Sequence, residues 1–372
     1  MSNQYRTSNS KGLVNKEKII NFTFNGDSYQ GYEGDTLASA LIANGIHLVG
    51  RSFKYHRPRG FLGAGVEEPN AMVQLHEGDR SEPNIMATEV ELVEGLKAKS
   101  QNCWPSVKFD IGEINNILNR FFPAGFYYKT FMWPKSFWFK VYEPFIRKAA
   151  GMGVAPLSPD PDRYEHNYEH CDVLVVGSGP SGLSSALAAA KNGARVILAE
   201  DKAHFGGSLL NDDVTIGNMS GREWASDVIS QLKNMPNVVV KNRSQVFGYY
   251  DHNMTVMFER VSDHLENSSK YTPRQRLHYI RAGEVIVSTG SIERPISFGN
   301  NDRPGIFLAS AAREYMKVYE TLVGKKPIIF TNNDSAYATA LEFIKNDIKP
   351  IIVDTRDNSD GQLVKEVQEQ GI

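Results

Sequence analysis

Cysteine is nearly absent from this chain: Cys103 and Cys171 are the only two in 372 residues. Two distant thiols do not supply the four thiolates of a zinc or iron–sulfur site, and nothing in their spacing pairs them in a disulfide. Long apolar runs are absent as well. No window reaches the roughly 18 uninterrupted apolar residues of a membrane helix, and Met1 to Lys18 is polar where a secretion signal would be apolar. Neither sign of charge is in excess: 41 basic residues face 43 acidic ones, a formal net charge of -2, so no positive field draws in phosphate backbones or acidic membranes. His166, His170 and His204 stand at no metal-ligand spacing with each other or with nearby acids. These absences predict a soluble, reduced, cytoplasmic protein with no metal, no membrane contact and no nucleic-acid partner.

What is present suffices for more than one core, since 372 residues with 41% hydrophobic content exceed one ordinary compact domain. Near the start, Ile20, Phe22 and Phe24 alternate with polar residues, and Asn25-Gly26 accepts positive φ in a two-residue hairpin. Asp35 is placed to cap a helix in which Leu37, Ala38, Leu41 and Ile42 recur at helical spacing, and Gly45 to end it in a left-handed conformation. A further apolar strand at about Thr88 to Val93 completes a β-grasp domain over residues 15–100. Within it Gly50 to Gly60 is basic and turn-rich. His56 lies there among Arg51, Lys54, Arg57 and Arg59, where an anion-binding role stands against a solvated or interface loop.

From 101 to 170 the character changes. Aromatics crowd between Phe121 and Phe145, interleaved with Lys129, Lys135, Lys140 and Glu143, and the charges and Pro134 exclude a membrane span. Aromatics bury large areas with few rotors, so this segment reads as an arm packing between domains or subunits. Gly151 to Pro161 is a linker to the last domain, over 171–372.

That domain opens on Asp172 to Val176, a short continuous apolar run of the kind found in parallel strands buried on both faces, leading directly into Gly177-Ser178-Gly179-Pro180-Ser181-Gly182. Leu183, Ala186, Leu187 and Ala190 then recur at helical spacing, Gly193 ends the helix, and Arg195 to Ala199 forms the next strand, ending at Glu200. This is the Rossmann βαβ context for the ADP half of a dinucleotide. Gly177 permits the tight turn, Gly179 lets the backbone approach the pyrophosphate, and Gly182 lets helix and strand pack closely. The phosphates sit at the helix N-terminus, beside Pro180 and Ser181, where free N–H groups and the macrodipole favour negative charge. Glu200, with Asp201 beside it, is positioned for the adenosine ribose hydroxyls, which favours NAD or FAD over NADP although Lys202 is near.

Downstream, Phe205-Gly206-Gly207-Ser208 follows the acid, and Glu284 to Ser291 reads as another buried strand running into a turn at Thr289-Gly290. Together these resemble the two-dinucleotide flavoproteins of the thioredoxin and glutathione reductase kind. That resemblance makes Gly206, Gly207, Ser208, Thr289 and Gly290 candidate second-tier contacts. A second βαβ half begins at Lys326 to Phe330, turns through Thr331 to Ala336, and reaches a strand ending at Asp354. The turn lacks glycines, so 325–372 reads as a degenerate, truncated half with a packing role. The fold class expected is a degenerate ferredoxin-like β-grasp domain followed by a Rossmann-like two-dinucleotide domain, incomplete at the C-terminus.

The chain as a whole resembles the N-terminal portion of the alpha subunit of heterotetrameric sarcosine oxidases. The resemblance is carried by Gly50 to Gly60, Glu68-Pro69-Asn70, Gly125 to Phe131, the turn at Gly177, and Asn332 to Tyr337. It implies oxidative demethylation of sarcosine to glycine with formaldehyde or methylene-tetrahydrofolate and hydrogen peroxide. It also implies a bound NAD, with FAD the alternative, and beta, gamma and delta partner subunits, with the flavin on the beta subunit or its interface. In cluster-bearing relatives, such as the hydrogen cyanide synthase subunits, the loop after Gly60 supplies cysteine ligands. Here Leu62, Glu67 and Asn70 fall at those places, so no iron–sulfur cluster is expected in this chain. The family's folate-binding region lies outside this sequence. Two other readings stay open: a self-contained flavin or NAD dehydrogenase of another small amine or amino acid, and a non-catalytic, dinucleotide-loaded scaffold. No residue is assigned a catalytic role, because a general base must reach a substrate whose position the sequence does not give.

Overall fold

The computed structural model describes residues 5–8, 11–122, 125, 130–149, 151, 153–266 and 268–372. Phe126 to Lys129, inside the aromatic arm, therefore lie outside the described residues. The chain forms two compact units, Met1–Pro161 with Pro295–Ile372, and Asp162–Arg294. The stretch 171–372, expected as one domain, is thus divided. Its last part packs with the N-terminal residues because its apolar side is matched there: Tyr315 is fully buried and donates from its hydroxyl to the Gly63 carbonyl at 2.9 Å, and Leu308 N–H donates to the Leu62 carbonyl at 2.8 Å.

In the first unit β1 (Asn15–Phe24) and β2 (Asp27–Glu33) form the expected hairpin, with Asn25 and Gly26 at φ 54° and 88°. The helix Leu37–Ala43 is capped by Thr36 through a reciprocal capping box with Ser39. Asp35, expected as the cap, is instead buried against Arg6, 2.5 Å away. After the two-residue strands β3 (Gly50–Arg51) and β4 (Pro58–Arg59) come β5 (Met72–Leu75), β6 (Glu82–Met86) and β7 (Leu96–Ser100). The sheet order is β2-β1-β7-β5-β6, with β7 parallel to β1, a β-grasp arrangement. The closing strand is therefore Leu96–Ser100 rather than Thr88 to Val93. Gly95, at φ 75°, turns the chain so that Leu96 and Ala98 alternate inward.

The second unit is a six-stranded sheet built from β8 (Tyr164–Val176), β9 (Val196–Ala199), β12 (Val238–Lys241), β13 (Ser244–Tyr250), β14 (Met254–Arg260) and β15 (Gln275–Val287). A small hairpin, β10 (Thr215–Ile216) and β11 (Met219–Ser220), stands apart from it. The order is β12-β9-β8-β15-β14-β13; β12, β9, β8 and β15 run parallel, and the β13–β14 hairpin is antiparallel. The helices Pro180–Lys191 and Gly221–Lys233 make the crossovers, burying Leu183, Ala186, Ile229 and Leu232 against Val175, Val196 and Leu198. Each such aliphatic side chain contributes about 1.5–3 kcal/mol on burial. In the remaining segment β16 (Ile328–Thr331) and β17 (Ile351–Asp354) are parallel strands joined through the helix Ser335–Lys345, the βαβ layout expected there.

Two sequence readings of the second sheet needed correction. β8 starts at Tyr164 rather than Asp172, because its first half is polar and hydrophobic patterning does not reveal it. The run from Glu284 is not a buried strand end, since Val287 is 63% exposed and pairing stops there. The polar half of β8 is held by charge. His278 on β15 is fully buried, its Nδ1 lying 2.5 Å from Glu169 of β8 and its Nε2 2.7 Å from Glu259 of β14; Lys241 approaches both carboxylates, and Arg276 pairs with Glu259 and with Glu165.

Burial disfavours the imidazolium, but bonds from both carboxylates raise its pKa above the ordinary value. Burial likewise opposes the Glu259 charge, yet His278 and Lys241 hold it down to about 2. The raised histidine stabilises the fold fully below its unfolded pKa, and that contribution fades as pH rises through the folded value. The depressed carboxylate stabilises above its unfolded pKa and fades in strong acid. The melting temperature is therefore expected to be higher near about pH 5.5 than near about pH 9. His278→Gln should flatten that slope, and an unaltered slope in the variant would remove this network as its source.

Candidate functional site

The glycine turn lies between β8 and the helix Pro180–Lys191, and its three glycines differ physically. Gly177 has φ 98°, and a Cβ there would overlap the Ser288 carbonyl oxygen, so the Ser288-Thr289 turn packs directly on it. A Cβ on Gly182 would overlap the Gly177 carbonyl oxygen. Gly179 is unlike both: its backbone is ordinary extended chain, φ -66° and ψ -178°, and a Cβ there meets nothing within 4 Å. Steric crowding inside the protein therefore explains two of the glycines and leaves the third facing open space. Pro180 takes the first helical position, where its missing N–H has no intrahelical partner to lose. Ser181 is exposed, with its hydroxyl 3.4 Å from that of Ser288.

The second-tier residues fall around the same turn. Gly206 and Gly207 have φ 128° and 53°, and a Cβ on Gly207 would lie 2.9 Å from Gly179 Cα, so the two glycine turns meet backbone to backbone. Ser208 is exposed beside them, and Thr289 and the left-handed Gly290, φ 73°, are exposed beyond Ser288.

Glu200 ends β9 as expected, but it is buried and its carboxylate is already engaged. One oxygen accepts from Ser178 N–H at 2.9 Å and from the Ser178 hydroxyl; the other accepts from Lys202 N–H at 3.1 Å. Burial pushes its pKa up to about 7, with neighbouring Asp201 adding to the rise and Ser178 opposing it. The Asp201 carbonyl takes the Arg260 guanidinium at 2.7 Å. Ser178, to which the sequence assigns no role, ties the site together, because its hydroxyl also accepts Gly206 N–H at 3.1 Å. A small hydroxyl between two glycines was the available signal.

In the first unit the basic loop spends its charge internally. Arg57 pairs with Asp302 at 2.7 Å, and Arg59 pairs with the same carboxylate. Arg57, opposed by some burial and helped by Arg59, holds Asp302 well below the usual carboxylate range. His56 Nδ1 lies 2.6 Å from buried Asp110, so its ring is not presented to an anion. The next loop is organised by two acids. Glu68 accepts from the N–H groups of Leu62, Gly63, Asn70 and Ala71 at 2.6, 2.8, 2.7 and 3.2 Å, and Glu67 accepts from Ala64 and Gly65 at 2.6 and 3.1 Å. Burial still pushes the Glu68 pKa upward against these four donors. Cys103 and Cys171 are free thiols, raised mainly by burial, Cys171 to about 11. Among the described residues no helix is long and apolar enough to cross a membrane, and no group of three or more His, Cys, Asp or Glu is placed to hold a metal ion.

Residues 17–103 match a family model described as a 2Fe-2S iron-sulfur cluster binding domain, and residues 172–245 match one described as FAD dependent oxidoreductase. The sarcosine oxidase alpha subunit of Rhizobium meliloti is 51% identical over 347 residues, 93% of this chain and 35% of that protein. The same subunit of Corynebacterium sp. strain U-96 is 33% identical, over 93% of this chain and 31% of that protein. The chain thus spans about a third of the length of these relatives. Among solved structures, L-proline dehydrogenase from P. horikoshii superposes with a TM-score of 0.61 at 19% identity, over 97% of this chain and 57% of that one, a likeness of fold.

These matches confirm the order of a ferredoxin-like domain followed by a Rossmann-like oxidoreductase domain, and they correct the cofactor expectations. The thiol count leads to an expectation of no iron–sulfur cluster; the match of 17–103 to a cluster-binding domain overturns it, because the β-grasp framework carries the family signal independently of ligand thiols. Leu62, Glu67 and Asn70 in that loop carry no thiol, so none of the chemistry below runs through a cluster. The preference for NAD over FAD is reversed by the FAD-dependent match. The glycines and terminal acid read only the ADP half, which both cofactors share.

Proposed function

The chain is a homologue of the sarcosine oxidase alpha subunits along nearly its whole length, and on that premise we propose that it is the FAD-holding part of a complex that oxidises the N-methyl group of sarcosine. The products are glycine, with formaldehyde or methylene-tetrahydrofolate, and hydrogen peroxide; beta, gamma and delta subunits complete the assembly. The observation that carries this reading is Gly179, a glycine that the protein's own packing does not require, facing open space at a helix N-terminus. A pyrophosphate laid against that backbone explains the missing side chain. Ser178, Gly206 and Gly207 hold the two turns together around it, with the Glu200 carboxylate bound to Ser178 at the end of β9. When bound, the flavin supplies the acceptor for the electron pair leaving the substrate's C–N unit.

The test is to purify the full chain, record its visible spectrum, denature it and weigh what it releases. A yellow protein releasing FAD in near-equal amount is expected. A chain that releases no dinucleotide sinks the reading, and one that releases a different dinucleotide moves the flavin elsewhere in the complex.

A further inference from the structure

The acid at the end of β9, expected to hold a sugar, already has its acceptor sites filled by the protein. An ionised carboxyl offers about four such sites. Glu200 is buried, and its Oε2 takes the Ser178 N–H at 2.9 Å and the Ser178 hydroxyl, while Oε1 takes the Lys202 N–H at 3.1 Å. What remains is met by the Asp201 side chain, whose charge opposes its own. The backbone is pinned as well: Glu200 N–H donates to the Lys241 carbonyl at 2.9 Å, and the Glu200 carbonyl accepts Ser244 N–H at 2.7 Å.

The bonds to Oε2 lead into the phosphate turn. Ser178 is fully buried between Gly177 and Gly179, and its hydroxyl, which donates to Glu200, accepts Gly206 N–H at 3.1 Å. Gly206 opens the second turn, in which a Cβ on Gly207 would lie 2.9 Å from Gly179 Cα. Gly177 N–H donates to the carbonyl of Ala199, the residue before Glu200, at 2.8 Å. One carboxylate therefore fixes Ser178, and through it the bare backbone of Gly179. An ionised carboxyl only accepts, which suits these donors; a protonated one carries an O–H of its own and holds them less firmly.

We propose that Glu200 is a positioning residue for the phosphate-binding turn, acting through Ser178, and not a ligand of the adenosine ribose. This rests on the dinucleotide reading given above. Burial pushes the Glu200 pKa up to about 7, so the turn is held firmly above that pH and loosened below it. The charged residues on the elements around it are Asp201, Lys202 and His204 on its own connection, Lys241 and Arg243 at the end of β12, and Arg260 of β14, which donates to the Asp201 carbonyl; the glycine turn brings none.

The full chain, stripped of nucleotide, is titrated calorimetrically with ADP and with dideoxy-ADP, which lacks the ribose hydroxyls, as wild type, Glu200→Gln and Ser178→Ala. At about pH 8 both variants are expected to bind the two nucleotides at least about tenfold more weakly, each variant by the same factor for both, because the loss lies on the phosphate side. The ratio of wild-type to Glu200→Gln affinity, in which the ionisation of ADP itself cancels, should then fall toward one by about pH 5.5, where the wild-type acid is protonated. A substitution that only weakened the fold would leave that ratio unchanged with pH. If Glu200→Gln loses ADP but keeps dideoxy-ADP, Glu200 is a ribose ligand and the proposal is overturned. Wild-type affinities in both variants, or a ratio that ignores pH, overturn it too. Should Glu200→Gln fail to fold, Ser178→Ala decides, since it keeps the carboxylate and the Ser178 N–H: wild-type affinity in it overturns the proposal, and equal weakening for both nucleotides supports it. A wild type that binds neither nucleotide overturns the dinucleotide reading itself, and this inference with it.

Discussion

Gly179→Ala is expected to leave the fold intact while the chain loses its dinucleotide. The backbone at this position is one that any residue adopts, and the added methyl meets no protein atom within 4 Å. Stability should therefore stay within about 0.5 kcal/mol of wild type. The same methyl stands where a pyrophosphate would lie against bare backbone, and separating those groups should weaken binding by at least about tenfold, or roughly 1.4 kcal/mol. Gly182→Ala is the counterpart. Its methyl overlaps a carbonyl oxygen that no rotamer change can move, so it should destabilise the second unit by about 1–3 kcal/mol or more and lose the nucleotide through the fold. Thermal melts and released nucleotide, measured on both variants, separate the two causes. If Gly179→Ala retains its nucleotide at wild-type occupancy, the pyrophosphate does not lie on this turn.

Glu68→Ala should be the most destabilising single substitution in the first unit. Its carboxylate is 1% exposed and is the acceptor for four backbone N–H groups, two of them from the buried residues Gly63 and Ala71. An unsatisfied buried donor costs about 1–3 kcal/mol, so even with partial rescue by an entering water the loss should reach about 4 kcal/mol. The Gly63 carbonyl that anchors Tyr315 belongs to the same loop, so the damage should spread into the segment after Pro295. Glu67→Ala removes two acceptor contacts at a half-buried site and should cost only about 1 kcal/mol. Urea unfolding monitored by circular dichroism measures both. Equal effects would show that the carboxylates only fill space.

These two cases also divide what was legible in the sequence. The glycine turn, the βαβ units, the Asn25-Gly26 hairpin and the acid ending β9 are set by local rules. Positive φ, helical periodicity and a buried strand of apolar residues act over a few neighbours and can be read in order along the chain. The family resemblance likewise survived because long segments of the chain carry it. The expectation that failed most plainly, on the cluster, treated ligand thiols as the whole of a domain's signal.

The tertiary structure alone decided the rest, because each remaining feature is an interaction between residues far apart in sequence. Asp35 looks like a cap until Arg6 takes it, and the polar half of β8 looks like linker until His278 and Arg276 on β15 pair with it. Glu68 looks like a loop acid until the loop folds around it. In each case a charge desolvated by folding must find a partner or remain costly, and the partner comes from another element. Ile111, Ile114, Ile117 and Phe121, exposed at helical spacing, follow the same logic. Their period is visible in the sequence, but a period of about 3.6 residues fixes only that one face is apolar. Which way that face points was settled by His56, Arg51 and Asn115, whose polar bonds turned it away from the core.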